Sequence, residues 1–318
     1  TDLVCGILCL AISFIRNDSW MIGALVFANI VQAIAFAFSR PANKAIITEL
    51  VEKDELVLYN SRLELVMQVV SVSSPVLSFW VLQFASLRIT LVLDALSFFL
   101  AFGLVALLPK KEEKAMGEKK LTFKVIFSDI KEGVCYIVKQ EEIFFLLVMA
   151  SSVNFFFAAF NYLLPFSNQL YGVQGAYATI LTMGAIGSIV GALLASKIKA
   201  SMEMLLFLLA LTGLGVMIMG FPLPSYLAFS GNFICELFMT MFNIHFFTQV
   251  QTKVEGEYLG RVLSSIYTLA ILFMPIAIGL MTWLPSVHLY SFLIIGLGVV
   301  VLSFLALGYV QTHFEKET

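Results

Sequence analysis

Charge is scarce in this chain. Asp, Glu, Lys and Arg make up 13% of its 318 residues, about half the share in a soluble domain, which excludes an ordinary water-facing surface. Cysteine is scarce as well. There are four, with Cys5, Cys9 and Cys235 in apolar runs and Cys135 in a polar segment, so no disulfide framework is implied. These cysteines and three histidines show no zinc-type spacing, and HExxH, GxSxG and the phosphate-binding glycine–lysine loop are missing. The expectation is a protein that is not an enzyme, carries no cofactor or metal and binds no nucleic acid. The net charge of −2 excludes nothing, because the charges are segregated by loop.

Long apolar sequence takes the place of charge. Hydrophobic residues are 60% of the chain, and 30 residues are Phe. Apolar runs cover 20–38, 63–84, 88–108, 143–165, 176–196, 203–221, 225–250, 262–284 and 288–310. Runs near 20 residues match a hydrocarbon layer about 30 Å thick. Backbone groups in lipid must be satisfied within their own segment, so each run is predicted to be a helix. A tenth run, 3–15, is too short to span; it reads as a span cut by the start of the chain, or else as a buried or re-entrant segment. The predicted class is an all-α polytopic membrane protein. Basic residues set its orientation. Of 19 Lys and Arg, only Arg16 and Arg88 fall outside the alternate set 39–62, 109–142, 197–202, 251–261 and the tail. That set is expected to be cytoplasmic, with the C-terminus inside.

The longest polar interval divides the chain. It predicts an incomplete N-terminal helical bundle over 1–108, a cytoplasmic linker over 109–142 and a C-terminal six-helix bundle over 143–318. About ten spans are then present, four plus six, as a six-plus-six repeat protein without its first two spans would show. In the linker, Phe123, Ile126, Phe127, Ile130, Val134 and Ile137 recur at helical spacing between lysines. They predict an amphipathic helix on the membrane surface or, alternatively, a soluble interaction helix.

Polar residues inside spans are costly, so their spacing marks faces that avoid lipid. Asn29, Gln32 and Ser39 share one face with Phe36. Glu64, Gln68, Ser71, Pro75 and Ser78 form a second stripe, and Ser151, Asn154, Ala158, Asn161 and Pro165 a third. Asn232, Glu236, Thr240 and Asn243 form the fourth. Each stripe reads either as hydrogen bonding between helices or as the lining of a cavity. Glu236 stands apart, midway along its span with no Lys or Arg in the middle of any span. It keeps its proton or faces water, which suits a proton-coupled or cation-binding site; the alternative is a neutral Glu bonded to a neighbouring helix. Asp94 is expected to be structural, with Arg88 as a loose partner, and Glu64 to pair with Arg62 or Arg40. His245, His288 and His313 are expected at interfaces. Gly184, Ser188 and Ala192, then Gly187, Gly191 and Ala195, are small residues at helical spacing and predict close helix packing.

The segment "RPANKAIITELVEKDELVLYNS", from Arg40 to Ser61, resembles the stretch between the fourth and fifth helices of the macrolide-efflux-like branch of the major facilitator superfamily, through Pro41, Ala42, Leu50, Val51, Leu56, Asn60 and Ser61. Pro41 is expected in the first turn of a new helix, with Arg40 before it biased away from helix. "DALSFFLAF" from Asp94 is similar to that branch's sixth helix. "QTKVEGEYLGRVLSSIYTLAILFMPIAIG" from Gln251 is similar to its tenth-to-eleventh crossing, with Gly260, Arg261 and Pro275 matching. The resemblance implies a two-bundle fold in which the first two helices and their acidic-and-arginine loop are missing. Pro75 is kept in "SVSSPVLS", though serines stand where glycines are usual, and "ASKIKAS" near Ser196 lacks the acid–arginine pairing. The family's cavity is lined by its first, fourth, seventh and tenth helices, so Asn29, Gln32, Asn154, Asn161, Asn232 and Asn243 become candidate cavity residues. Glu236 is then the proton-coupling candidate, and Arg40, Pro41, Pro75, Asp94 and Arg261 take gating or structural roles.

The function implied is a secondary active exporter of small amphipathic compounds, driven by protons and sitting as a monomer in the lipid bilayer of the cell membrane. Phe155, Phe160, Phe238 and Phe242 are candidate apolar walls. A siderophore or lysolipid exporter, or a transport-inactive sensor or scaffold, is the alternative. The charges of the 39–61 connector are expected to pair with loops of the other half when the inner side closes, or else to be solvated.

Overall fold

The computed structural model describes residues 1–84, 86–107, 123–199, 201–284 and 286–313. Thirteen α-helices and two short 3-10 turns, Lys53–Glu55 and Leu164–Phe166, occur among them, and no strand does. The helices are α1 (Asp2–Ser13), α2 (Asp18–Leu50), α3 (Leu56–Phe84), α4 (Leu87–Ala106), α5 (Phe123–Lys139), α6 (Glu141–Leu163), α7 (Ser167–Tyr171), α8 (Ala176–Ala195), α9 (Met202–Gly220), α10 (Ser225–Lys253), α11 (Gly256–Ala270), α12 (Met274–Trp283) and α13 (Tyr290–His313).

Eight segments among the described residues are long and apolar enough to cross a membrane. They lie in α2, α4, α6 with α7, α8, α9, α10, α11 with α12, and α13. With the shorter α1 and with α3, they account for the ten apolar runs of the sequence. Local chemistry sets several boundaries. Ser86 and Ser201 cap α4 and α9 by accepting from Ile89 N and Met204 N at 3.4 and 3.2 Å, which satisfies an otherwise orphaned N–H. Gly172, at φ 64°, ends α7 in a left-handed conformation that a side chain resists. Pro275 lies in the first turn of α12, where its missing N–H costs nothing, and separates α12 from α11.

One expectation fails at Pro41. No new helix starts there: α2 runs through it without interruption for 33 residues. A mid-helix proline removes one backbone bond, but membrane helices tolerate this through neighbouring helices and local adjustment. The chain turns later, at the 3-10 turn Lys53–Glu55. Pro75 lies within α3, but its side chain falls outside the described residues, as does Ser78. The 109–122 part of the linker, and the side chains of Phe123, Ile126, Phe127 and Ile130, are outside them too.

Two compact units are present: Thr1–Ile46 with Ser73–Ile130, and Ile47–Val72 with Lys131–Thr318. In the first, α1 packs on α4 around buried Ile12, Met21, Ala28 and Leu91. In the second, α8, α9, α10 and α13 form the tightest layer, and α6 packs on α11, α12 and α13. The α8–α10 contact follows from glycine. A Cβ at Gly187 would collide with Phe233 O, and one at Gly191 with Leu237 O, so backbone meets backbone only because both side chains are absent. Aromatic side chains pack between α6, α7, α10 and α13. Phe160 meets Phe292 at 5.8 Å, Tyr171 meets Phe229 at 5.1 Å, and the Tyr171 hydroxyl donates to Met219 O at 2.6 Å.

Candidate functional site

The α8–α10 seam holds the chemistry. α10 presents Asn232 and Glu236 one turn apart, and α8 answers with Gly184 and Ser188, also one turn apart. Asn232 Nδ2 donates to Ile180 O at 2.8 Å, and Ser188 Oγ donates to Glu236 Oε2 at 3.3 Å. Gly184 leaves the space between them: a Cβ there would collide with the Asn232 amide and lie 3.0 Å from Glu236 Cγ. Asn232 is 2% exposed and its Oδ1 is enclosed with no hydrogen-bond partner, while Glu236 is partly exposed. Glu236 thus keeps one hydroxyl partner on a seam that Gly184 leaves open.

The other stripes divide differently from their spacing. Asn29 is exposed and donates to Leu25 O of its own helix at 2.9 Å. Gln32 turns to α1, where Nε2 donates to Cys9 Sγ at 3.4 Å; the Cys9 thiol in turn donates to Asp94 Oδ2 at 3.6 Å. Asp94 therefore bonds to a buried thiol, where Arg88 was the expected partner. Asn154 is half-buried, Asn161 and Asn243 are exposed, and Thr240 is buried. Phe160 and Phe242 are buried in packing contacts and form no open wall; Phe155 and Phe238 are partly exposed. Glu64 accepts from Gln68 Nε2 at 3.0 Å, one turn along α3, and forms no ion pair with Arg62 or Arg40 among the described residues. His245 is 3% exposed, within hydrogen-bond reach of the Ala195 backbone.

A second polar locus joins the 47–72 segment to the C-terminal end of α10. Asn60, 1% exposed, donates Nδ2 to Thr248 Oγ1 at 3.1 Å and to Gln251 Oε1 at 2.7 Å. Lys53 Nζ reaches Thr252 O at 3.4 Å. The connector thus meets α10 through the Asn60 amide and the Lys53 ammonium. Arg40 is exposed and Pro41 buried. Beside this locus, α5 docks on α11: Glu132 pairs with Arg261 at 3.1 Å, Tyr136 stacks on Tyr258 at 5.0 Å, and Gly133 lies against Arg261 O. Lys253 of α10 pairs with Glu142 at the start of α6.

Reasoning from sequence missed Ser188, Cys9 and the Asn60 contacts. Ser188 was visible as a member of a small-residue stripe, where a hydroxyl opposite a Glu-bearing helix was the signal. Cys9 and Asn60 carried none, since their partners lie 85 and 188 or more residues away.

Residues 3–274 match the family model described as Major Facilitator Superfamily. Among solved structures, the chain is similar to the crystal structure of a bacterial homologue of the iron transporter ferroportin in an outward-facing state. The TM-score is 0.67 and the identity 14%, over 96% of this chain and 78% of that one. At that identity the likeness is one of fold. Sequence comparison with curated proteins returned no match.

Proposed function

The chain belongs to the major facilitator superfamily and is a multi-pass membrane transporter; on that premise we propose a proton-coupled exporter of small, amphipathic, mostly hydrophobic compounds. The observation that carries the proposal is Glu236, an acidic side chain midway along α10, held by the Ser188 hydroxyl on a glycine-lined seam. A charged group at mid-membrane costs roughly 2.5–3.5 kcal/mol on insertion scales. Taking up a proton removes that cost, so protonation state and the open side of the transporter are coupled. Export follows if substrate and proton occupy the bundle alternately while the two halves rock. The basic loops then face the cytoplasm of a cell membrane, with the monomer as the working unit. The resemblance to macrolide-efflux-like motifs supports this substrate class.

The solved structure is described as a bacterial homologue of the iron transporter ferroportin. In this chain, the described residues hold no grouping of three or more His, Cys, Asp or Glu side chains suited to a metal.

The test is accumulation of labelled macrolides and lipophilic dyes in cells lacking their own exporters, with and without a protonophore. Lower accumulation that the protonophore restores is the expected result, and Glu236→Gln abolishes it while the protein stays in the membrane. Unchanged export by Glu236→Gln across pH refutes the role of Glu236. No effect on any compound refutes the substrate class and favours the sensor reading.

A further inference from the structure

Only one side of the C-terminal half of α5 is covered by protein. Ile137 is 1% exposed, and a Cβ at Gly133 would collide with Arg261 O. Glu132 pairs with Arg261 at 3.1 Å, and Tyr136 stacks on Tyr258 at 5.0 Å. At 3.6 residues per turn, Lys131, Cys135, Val138 and Lys139 fall within an arc of about 100° on the other side. All four are exposed. Lys131 and Lys139 take part in no ion pair among the described residues, whereas the Glu132 carboxylate is matched by Arg261. The uncovered side is therefore positive at its two ends and apolar between them, with Val138 56% exposed.

Depth follows from the neighbours. A single residue, Gln140, separates α5 from α6, and the apolar run of α6 begins at Ile143. Lys139 stands four residues before it, about 6 Å at the helical rise. The polar layer on each side of the hydrocarbon core is about 5–7 Å deep. Docking is also lateral. Gly133 lies against Arg261 and Ser265, in the second and third turns of α11 and inside the span that starts at Tyr258. α5 thus lies beside this span and not beyond its end, with its uncovered side turned away from α11 at headgroup depth.

We propose that this side of α5 binds anionic phospholipid headgroups of the leaflet at that end. The two ammonium groups meet the phosphates, while the lysine stems and Val138 rest at the edge of the hydrocarbon. Basic residues at this depth attract anionic lipid over neutral lipid, within a Debye length of the surface. The proposal depends neither on Glu236 nor on the cargo.

Cys135 supplies the reporter, being exposed while Cys5, Cys9 and Cys235 are buried. A fluorophore on Cys135 is followed in the full chain in phosphatidylcholine nanodiscs. Phosphatidylglycerol or phosphatidylcholine carrying a nitroxide near the top of the acyl chain is added at equal mole fraction. Quenching by the phosphatidylglycerol is expected to be stronger by about twofold or more, and raised salt weakens the preference by screening. Lys131→Gln/Lys139→Gln removes it, with thermal unfolding measured in parallel to show that the variant is folded. Equal quenching by the two lipids in the unmutated protein overturns the proposal. So does a preference that persists unchanged in the folded double variant or in high salt, because other residues or forces then hold the lipid. Quenching by neither lipid overturns it as well, since this side of α5 then faces water or a soluble partner.

Discussion

Replacing Asn60 with leucine tests how the connector is held. Its side chain is 1% exposed and gives two hydrogen bonds, 3.1 Å to Thr248 and 2.7 Å to Gln251. Each neutral bond contributes about 0.5–1.5 kcal/mol net, so losing both costs roughly 1–3 kcal/mol. At about 1.4 kcal/mol per tenfold, the docked arrangement loses about 5- to 150-fold in population relative to any arrangement in which these groups are apart. Leucine fills a similar volume, which keeps a cavity contribution small. The assay is cross-linking between cysteines placed at Lys53 and Thr252, whose side chain and carbonyl lie 3.4 Å apart, with Cys135 replaced. Asn60→Leu lowers the yield and the unfolding temperature, and the exposed Glu52→Gln changes neither. Because amides hold the contact, raising the salt concentration leaves the yield unchanged, whereas a contact held by charges weakens by screening. Equal yields for Asn60→Leu and Glu52→Gln refute the reasoning, and a salt-dependent yield refutes it in favour of a contact held by charge.

Two further outcomes follow from packing. Gly187→Val drives a branched side chain into Phe233 O, an overpacking cost of about 1–3 kcal/mol or more, so the monodisperse fraction in detergent size-exclusion falls; unchanged yield refutes the backbone contact. A maleimide applied to the native protein labels exposed Cys135 and spares buried Cys5, Cys9 and Cys235, as peptide mass spectrometry reads directly. Labelling of Cys9 in folded protein refutes its enclosure between Gln32 and Asp94.

Much of the architecture was legible because the bilayer imposes one-dimensional rules. A span needs a run of apolar residues and must be helical, so composition along the chain locates it. The stripes of Gly184, Ser188 and Ala192 and of Gly187, Gly191 and Ala195 also read correctly, since small residues four apart leave a flat helix face. The polar stripes read less well. Spacing reports which residues share a face, but not which helix that face meets. Asn29, Gln32 and Ser39 share a stripe, yet Asn29 bonds to its own backbone, Gln32 to Cys9 and Ser39 to Thr1. Pro41 misled for a related reason: its local preference is to begin a helix, and α2 continued through it.

The sequence alone determined the helical class, the ten apolar segments and the isolation of one carboxylate on α10, because each depends on transfer of residues into lipid and not on neighbours. Only the tertiary structure decided what that carboxylate touches. Ser188 bonds to Glu236 across 48 residues of chain, and Gly184 lies against both Asn232 and Glu236. Asn60 reached Gln251 across 191 residues in the same way. Such pairings are fixed by how bare glycine surfaces let two helices approach and in what register, and no spacing within either helix encodes that register.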